Sequence, residues 1–116
     1  AGTATDWETY FKLKDYPRAL ADLEKLIANT DAPQPKLYYF AGILHLYLAE
    51  GKPQKAIDYL LLSDTFRNDE EYDFSKHLIL AYAQNNNYTA AKLLLEKYPV
   101  YQRGIPPAIL ERINNK

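Results

Sequence analysis

"YAQNNNYTAAKLLLEKY", residues 82–98, sets Asn85-Asn86-Asn87 between two stretches of helix-forming residues. Asparagine ends a helix readily, because it tolerates the left-handed backbone conformation and its side chain can cap the turn that follows. The stretch therefore reads as helix, elbow, helix, and its Ala91 is the anchor that orders the rest of the chain. Ala19, Ala56 and Ala91 recur 37 and 35 residues apart, with Tyr10, Tyr47 and Tyr82 nine residues before them and Leu23, Leu60 and Leu95 four residues after. Trp7, Leu44 and Ile79 stand twelve residues before the anchors, while Lys14, Gly51 and Asn86 stand five before, at helix-end positions. A period of this length belongs to two-helix repeats, not to coiled coils or propellers.

The corresponding elbows are "KLKDYPRAL", "LAEGKPQKAI" and "AQNNNYTAAK". Pro17 and Pro53 fall just inside the second helix of their pairs, where the missing N–H costs nothing and the fixed φ is already helical. In the third elbow Asn87 offers the N-cap, and Asn85 or Asn86 the left-handed residue. Between elbows the apolar period is helical: Leu20, Leu23, Leu26 and Ile27 share one face, as do Phe40, Ile43, Leu44, Tyr47 and Leu48. No segment alternates with period two over a strand's length, so the chain is expected to be all-α. Longer loops, "NTDAPQPK" and "SDTFRNDEEY", separate the copies, and Asp69, Glu70 and Glu71 crowd a helix start where the macrodipole favours them. In the closing stretch "YPVYQRGIPPAILERINNK", Gly104 and Pro106-Pro107 break the preceding helix and begin a final one over about 106–115. Its Ile109, Leu110 and Ile113 would cover the last repeat's apolar face. One domain over 1–116 is expected, with repeats over about 3–32, 36–67 and 70–101.

Composition narrows the function. At 116 residues and 47% hydrophobic content the chain builds one core. Fourteen Lys+Arg against fifteen Asp+Glu give a net charge of −1, which supplies no sequence-wide basic field, so nucleic acid is not an expected partner. No apolar run approaches the ~18 residues of a membrane span. Cysteine is absent, which removes disulfides and thiolate chemistry; methionine is absent too, which points to a processed chain or a piece of a longer protein and leans toward export. Eleven tyrosines suit half-buried interfaces, since each packs an apolar body while keeping a polar tip.

These positions resemble the tetratricopeptide repeat over nearly the whole chain. Phe40, Ile43, Leu44, Tyr47, Gly51, Ala56 and Leu60 make the best copy, followed by Leu78, Ile79, Tyr82, Asn86, Tyr88, Ala91, Leu95 and Tyr98; Trp7, Tyr10, Tyr16, Ala19, Leu23 and Leu26 fit a first copy with a short opening. Ser75 and Thr3 depart from the large residue the family prefers early in the first helix, Ser63 replaces a small apolar residue, and the closing proline is absent at Asn68. The spacing also exceeds the family's usual 34 or so residues. The resemblance implies three antiparallel helical hairpins stacked as a right-handed α-solenoid with a C-terminal capping helix. It further implies a concave groove for a peptide or partner helix, lined by Glu8, Phe11 and Lys12, then Tyr38, Ala41, Gly42, His45 and Leu48, then Lys76, His77, Leu80, Ala83 and Gln84. Gly42 and Asp73 stand where carboxylate-gripping branches carry basic groups, so an apolar or amphipathic segment is the expected ligand. The alternative is a structural segment that stacks on further repeats or associates with a copy of itself through its N-terminal end.

No nucleophile with its base, metal-ligand spacing or phosphate loop is evident, so neither catalysis nor a cofactor is expected. His45 and His77 with Asp73 could make a metal site, but polar groove positions explain them better. Asp69, Glu70, Glu71 and Asp73 lack the glycine and alternating oxygens of a calcium loop. "NYT" at 87–89 matches a glycosylation acceptor, a weak signal that matters only in an exported protein.

Overall fold

Lys14 and Asn86 are the non-glycine residues with left-handed backbone among those described, at φ 61° and 60°. They occupy the same place, five residues before Ala19 and Ala91, and each closes a helix in the same way. The Lys14 N–H donates to the Phe11 carbonyl and the Asp15 N–H to the Tyr10 carbonyl; the Asn86 N–H donates to Ala83 and the Asn87 N–H to Tyr82. This crossed pair of bonds satisfies carbonyls that a helix end otherwise leaves open, and it turns the chain back on itself.

The computed structural model describes residues 6–48, 52–66 and 74–115. Within them the chain forms α1 (Trp7–Lys12), α2 (Tyr16–Ala28), α3 (Pro35–Tyr47), α4 (Pro53–Phe66), α5 (Phe74–Gln84), α6 (Tyr88–Lys97), a 3₁₀ helix (Pro99–Gly104) and α7 (Pro107–Asn114). The protein is all-helical over these residues, and no helix among them is long and apolar enough to cross a membrane. Gly51, the acidic run Asp69, Glu70, Glu71 and Asp73, and the departures at Thr3 and Asn68 lie outside the described residues.

Pro17 and Pro53 start helices as anticipated, in the first turn of α2 and at the head of α4, and Pro35, from the stretch expected as an inter-repeat loop, opens α3. Asn87 caps α6, its side-chain oxygen accepting from the Ala90 N–H at 3.2 Å. Two boundaries differ from the sequence expectation. α6 ends at Lys97, ahead of Gly104, because the Tyr98-Pro99 pair disfavours helical backbone at Tyr98 and removes a donor at Pro99; the 3₁₀ helix then fills the interval before α7. α1 and α5 end seven residues before their alanines, whereas α3 ends nine before, at Tyr47, with Leu48 already extended (φ −81°, ψ 136°). Tyr47 is consequently 52% exposed, although its counterparts Tyr10 and Tyr82 are half-buried.

Each helix packs on its sequence neighbours, and α3 also touches α5. Several bonds show successive helices running back alongside one another. The Trp7 N–H at the start of α1 donates to the Asp22 carboxylate in the body of α2 (2.9 Å). Ser63, late in α4, donates to the Pro35 carbonyl at the start of α3 (2.6 Å), and Asn85 after α5 reaches Gln54 at the start of α4 (3.0 Å). Ser63 is buried and its hydroxyl is satisfied, so the polar departure sits in the core without an unpaired group.

The anchor alanines Ala19, Ala56 and Ala91 are all 0% exposed, and their associated leucines Leu23, Leu60 and Leu95 are buried. The core runs as three successive clusters, centred on Trp7, Leu23 and Leu44; on Ile57, Leu60 and Leu78; and on Ile79, Leu95 and Ile113. Ile113 of α7 is fully buried and Ile109 and Leu110 pack beside it, which covers the apolar face left by α5 and α6.

Candidate functional site

Adjacent residues on a helix point about 100° apart, so neighbouring aromatic side chains can reach two different helices. Tyr39 and Phe40 of α3 do this, with their own ring centroids 5.3 Å apart. Phe40 packs toward α1, on Trp7 at 5.1 Å and Phe11 at 5.4 Å, while Tyr39 meets His77 of α5 edge-on at 5.6 Å. The first, third and fifth helices thereby share a continuous band of rings, half-buried except for the buried Trp7.

Where α1 meets α3 the band opens into a cleft of about 210 Å³, lined by Trp7, Glu8, Phe11, Lys12, Lys36 and Phe40. The Lys36 ammonium lies 5.8 Å from the Trp7 ring centroid and 3.6 Å from the Glu8 carboxylate. Lys12 is exposed on the rim, and no ion-pair partner is found for it among the described residues. A cleft lined by aromatic rings and two lysines suits an apolar side chain followed by a carboxylate.

The residues anticipated as one groove divide into separate groups. Phe11 and Lys12 line the cleft, and His77 lies in the band through Tyr39. Lys76 lies along Gly104, close enough that a β-carbon there would fall 2.8 Å from its Cε. Leu80 packs on the last core cluster, Leu48 on the first, and Gln84 is exposed at the end of α5.

Tyr38, Ala41, Gly42 and His45 are turned elsewhere. Tyr38 stacks on Tyr59 of α4 (6.5 Å, 16° between planes) and lies against Phe66 (6.4 Å). Ala41 and His45 are buried, at 0% and 6% exposed. The reason is Gly42: α3 crosses α4 there so closely that an added β-carbon would meet Leu60 Cγ at 2.8 Å and the Ala56 carbonyl oxygen at 3.2 Å. Gly42 goes to α4 while Ala41 packs with Ala19, Leu20 and Leu23 of α2, so Tyr38 and His45 lie in a helix seam and not on an open wall.

His45 is held on every side. Its ring stacks on Tyr59 (5.8 Å, 18°), its Nδ1 accepts the Lys52 N–H (3.3 Å), and its Nε2 lies 3.4 Å from the Glu24 carboxylate of α2. Tyr59 donates its hydroxyl to the same Glu24 oxygen at 2.9 Å, with the Lys55 ammonium 3.9 Å away. Burial lowers the His45 pKa below its ordinary 6.5 despite the opposing pull of Glu24. Among the described residues no group of three His or carboxylate side chains is arranged to hold a metal. His45 and His77 have separate partners, and Asp73 lies outside the described residues.

Sequence reasoning did not select Trp7, Lys36, Tyr39 and Phe40 for the wall, or Glu24 and Tyr59 for the His45 network. The adjacent aromatic pair Tyr39-Phe40 was the available signal, because one helix face cannot bury both against a single neighbour. The leucine runs Leu60-Leu61-Leu62 and Leu93-Leu94-Leu95 carry a similar signal. Three successive positions sweep about 200° of helix, more than one core face covers, and Leu61 and Leu93 emerge on the rim of a second cleft of about 540 Å³ among α4, α5, α6 and the 3₁₀ helix. Comparison with protein-family models, curated proteins and solved structures finds no match to the chain.

Proposed function

We propose that the chain is a protein-interaction module of stacked helical hairpins, akin to the tetratricopeptide repeat, that docks a short amphipathic segment of another protein across α1, α3 and α5. The observation that carries this reading is the ring band and its cleft: half-buried aromatic side chains in a row beside the buried Trp7, with Lys12 and Lys36 lining the opening. Aromatic anchors in a concave, partly desolvated site are the usual energetic centre of such contacts. The ligand places an apolar side chain on Trp7, Phe11 and Phe40 and an adjacent Asp or Glu against Lys12. The elongated body, 52 × 29 × 21 Å, and the radius of gyration of 14.9 Å support a linear array, since a compact chain of this size would have a radius of about 13 Å. In this reading the stack is a right-handed solenoid closed by α7, and its role is binding, not catalysis.

A second reading is favoured by the first helix pair, where Leu13 is 72% exposed and Leu26 is 39% exposed. In it the chain associates with a copy of itself, or with further repeats, through that end.

Selection from a displayed library of random peptides tests the first reading. Enriched peptides should pair an apolar residue with a neighbouring acid, and Lys12→Glu should weaken them at least about tenfold, since it sets like charges together. Binding indifferent to both Lys12→Glu and Phe11→Ala would remove this wall as the site. Concentration-dependent dimerisation abolished by Leu13→Glu would favour the second reading instead.

A further inference from the structure

The elbow N–H four residues before each anchor alanine belongs to Asp15, Lys52 and Asn87. In the first and third elbows it donates to a main-chain carbonyl, of Tyr10 and of Tyr82, in each case at 2.8 Å. In the second, α3 has already ended at Tyr47, and the Lys52 N–H donates to the ring Nδ1 of His45 at 3.3 Å. An imidazole thus does the work that a carbonyl does in the other two. The substitution matters chemically, because a carbonyl accepts at any physiological pH whereas an imidazole nitrogen accepts only while unprotonated.

The bond assigns the tautomer: Nδ1 keeps its lone pair for Lys52, and Nε2–H faces Glu24. We propose that His45 is a proton-sensitive clasp on the second elbow, in which uptake of a proton at Nδ1 turns the acceptor of the Lys52 N–H into a donor and releases that bond. The ionisable groups around the ring are Glu24 from α2, Lys55 and Tyr59 from α4, and Lys52 from the elbow. Glu24 favours the proton; burial, Lys55 and Lys52 oppose it, and burial dominates. The folded chain therefore takes up this proton at lower pH than the unfolded chain does. The clasp is intact above pH 6.5, the unfolded value, and is lost as pH falls toward the lower folded value.

The three elbows provide their own controls in a residue-resolved amide-exchange experiment on the full chain, from about pH 7.5 to about pH 5, corrected for intrinsic exchange. Protection at Lys52 should fall by up to about tenfold per pH unit below 6.5, while Asp15 and Asn87 hold theirs. His45→Gln, whose side chain offers one acceptor and one donor without titrating near neutrality, should flatten the Lys52 response. Equal loss at all three amides, an unchanged Lys52 amide while the His45 ring titrates, or an undiminished response in His45→Gln would each overturn the proposal. Should His45→Gln fail to fold, the comparison of three amides in the native chain still decides.

Discussion

Gly42 and Leu60 meet where α3 crosses α4, and a β-carbon on Gly42 would stand 2.8 Å from Leu60 Cγ and 3.1 Å from its Cδ2. Leu60 is fully buried and the Ala56 carbonyl closes the other side, so neither neighbour can give way cheaply. Gly42→Ala gains about 0.5–1 kcal/mol of helix propensity but incurs about 1–3 kcal/mol of overpacking. The expected result is a net loss of about 1–2 kcal/mol in urea unfolding followed by circular dichroism.

Lys14 and Asn86 share a backbone conformation but not its cost. The left-handed region is worth roughly 1–2 kcal/mol against an ordinary side chain and much less against asparagine. Lys14→Gly should therefore stabilise the chain by about 0.5–1 kcal/mol, the relief exceeding the added freedom of the unfolded glycine. Asn86→Gly should stay within about 0.5 kcal/mol of the parent. Thermal melts of the two variants make the comparison, and a stabilisation larger at position 86 than at 14 would contradict it.

Ala91 is 0% exposed among Ile79, Ala83, Leu95 and Ile105. Ala91→Leu adds volume to a closed site and should cost about 1–3 kcal/mol or more, with the α5–α6 amides losing exchange protection first. Unaltered stability would mean that the third elbow has room the structure does not show.

Tyr59 supplies an alkaline signature. Burial, and then the hydrogen bond to Glu24, push its pKa up from 10.0 to about 12. The folded chain holds this proton more tightly than the unfolded chain, so the associated stability is present below pH 10.0 and is lost as pH rises toward 12. Urea midpoints measured across that window should fall more steeply in the native chain than in Tyr59→Phe.

Much of the helix layout was legible because its signals are local. Pro17, Pro53 and Asn87 start helices through their own backbone chemistry, whatever they later pack against. The end of α3 was not, because the bond across that elbow joins His45 to a residue seven positions away, and propensity carries no record of such a pairing. The site was legible in the same uneven way. Phe11 and Lys12 do line a cleft, but Tyr38 and His45 face α4, since the rotation of α3 about its axis is decided by where Gly42 lets two backbones approach. Trp7 and Phe40 read as core from apolar spacing alone, and only their neighbours show them flooring an opening.

The unequal elbows also say where the molecule can be retuned. In the first and third joints the bond four residues before the anchor runs from main chain to main chain, so that bond does not depend on which side chain its donor residue carries, proline excepted. In the second the Lys52 N–H is held by a side chain, so a single substitution at His45 reaches that bond. A helical chain built this way can loosen or tighten its middle turn while both flanking turns keep their form.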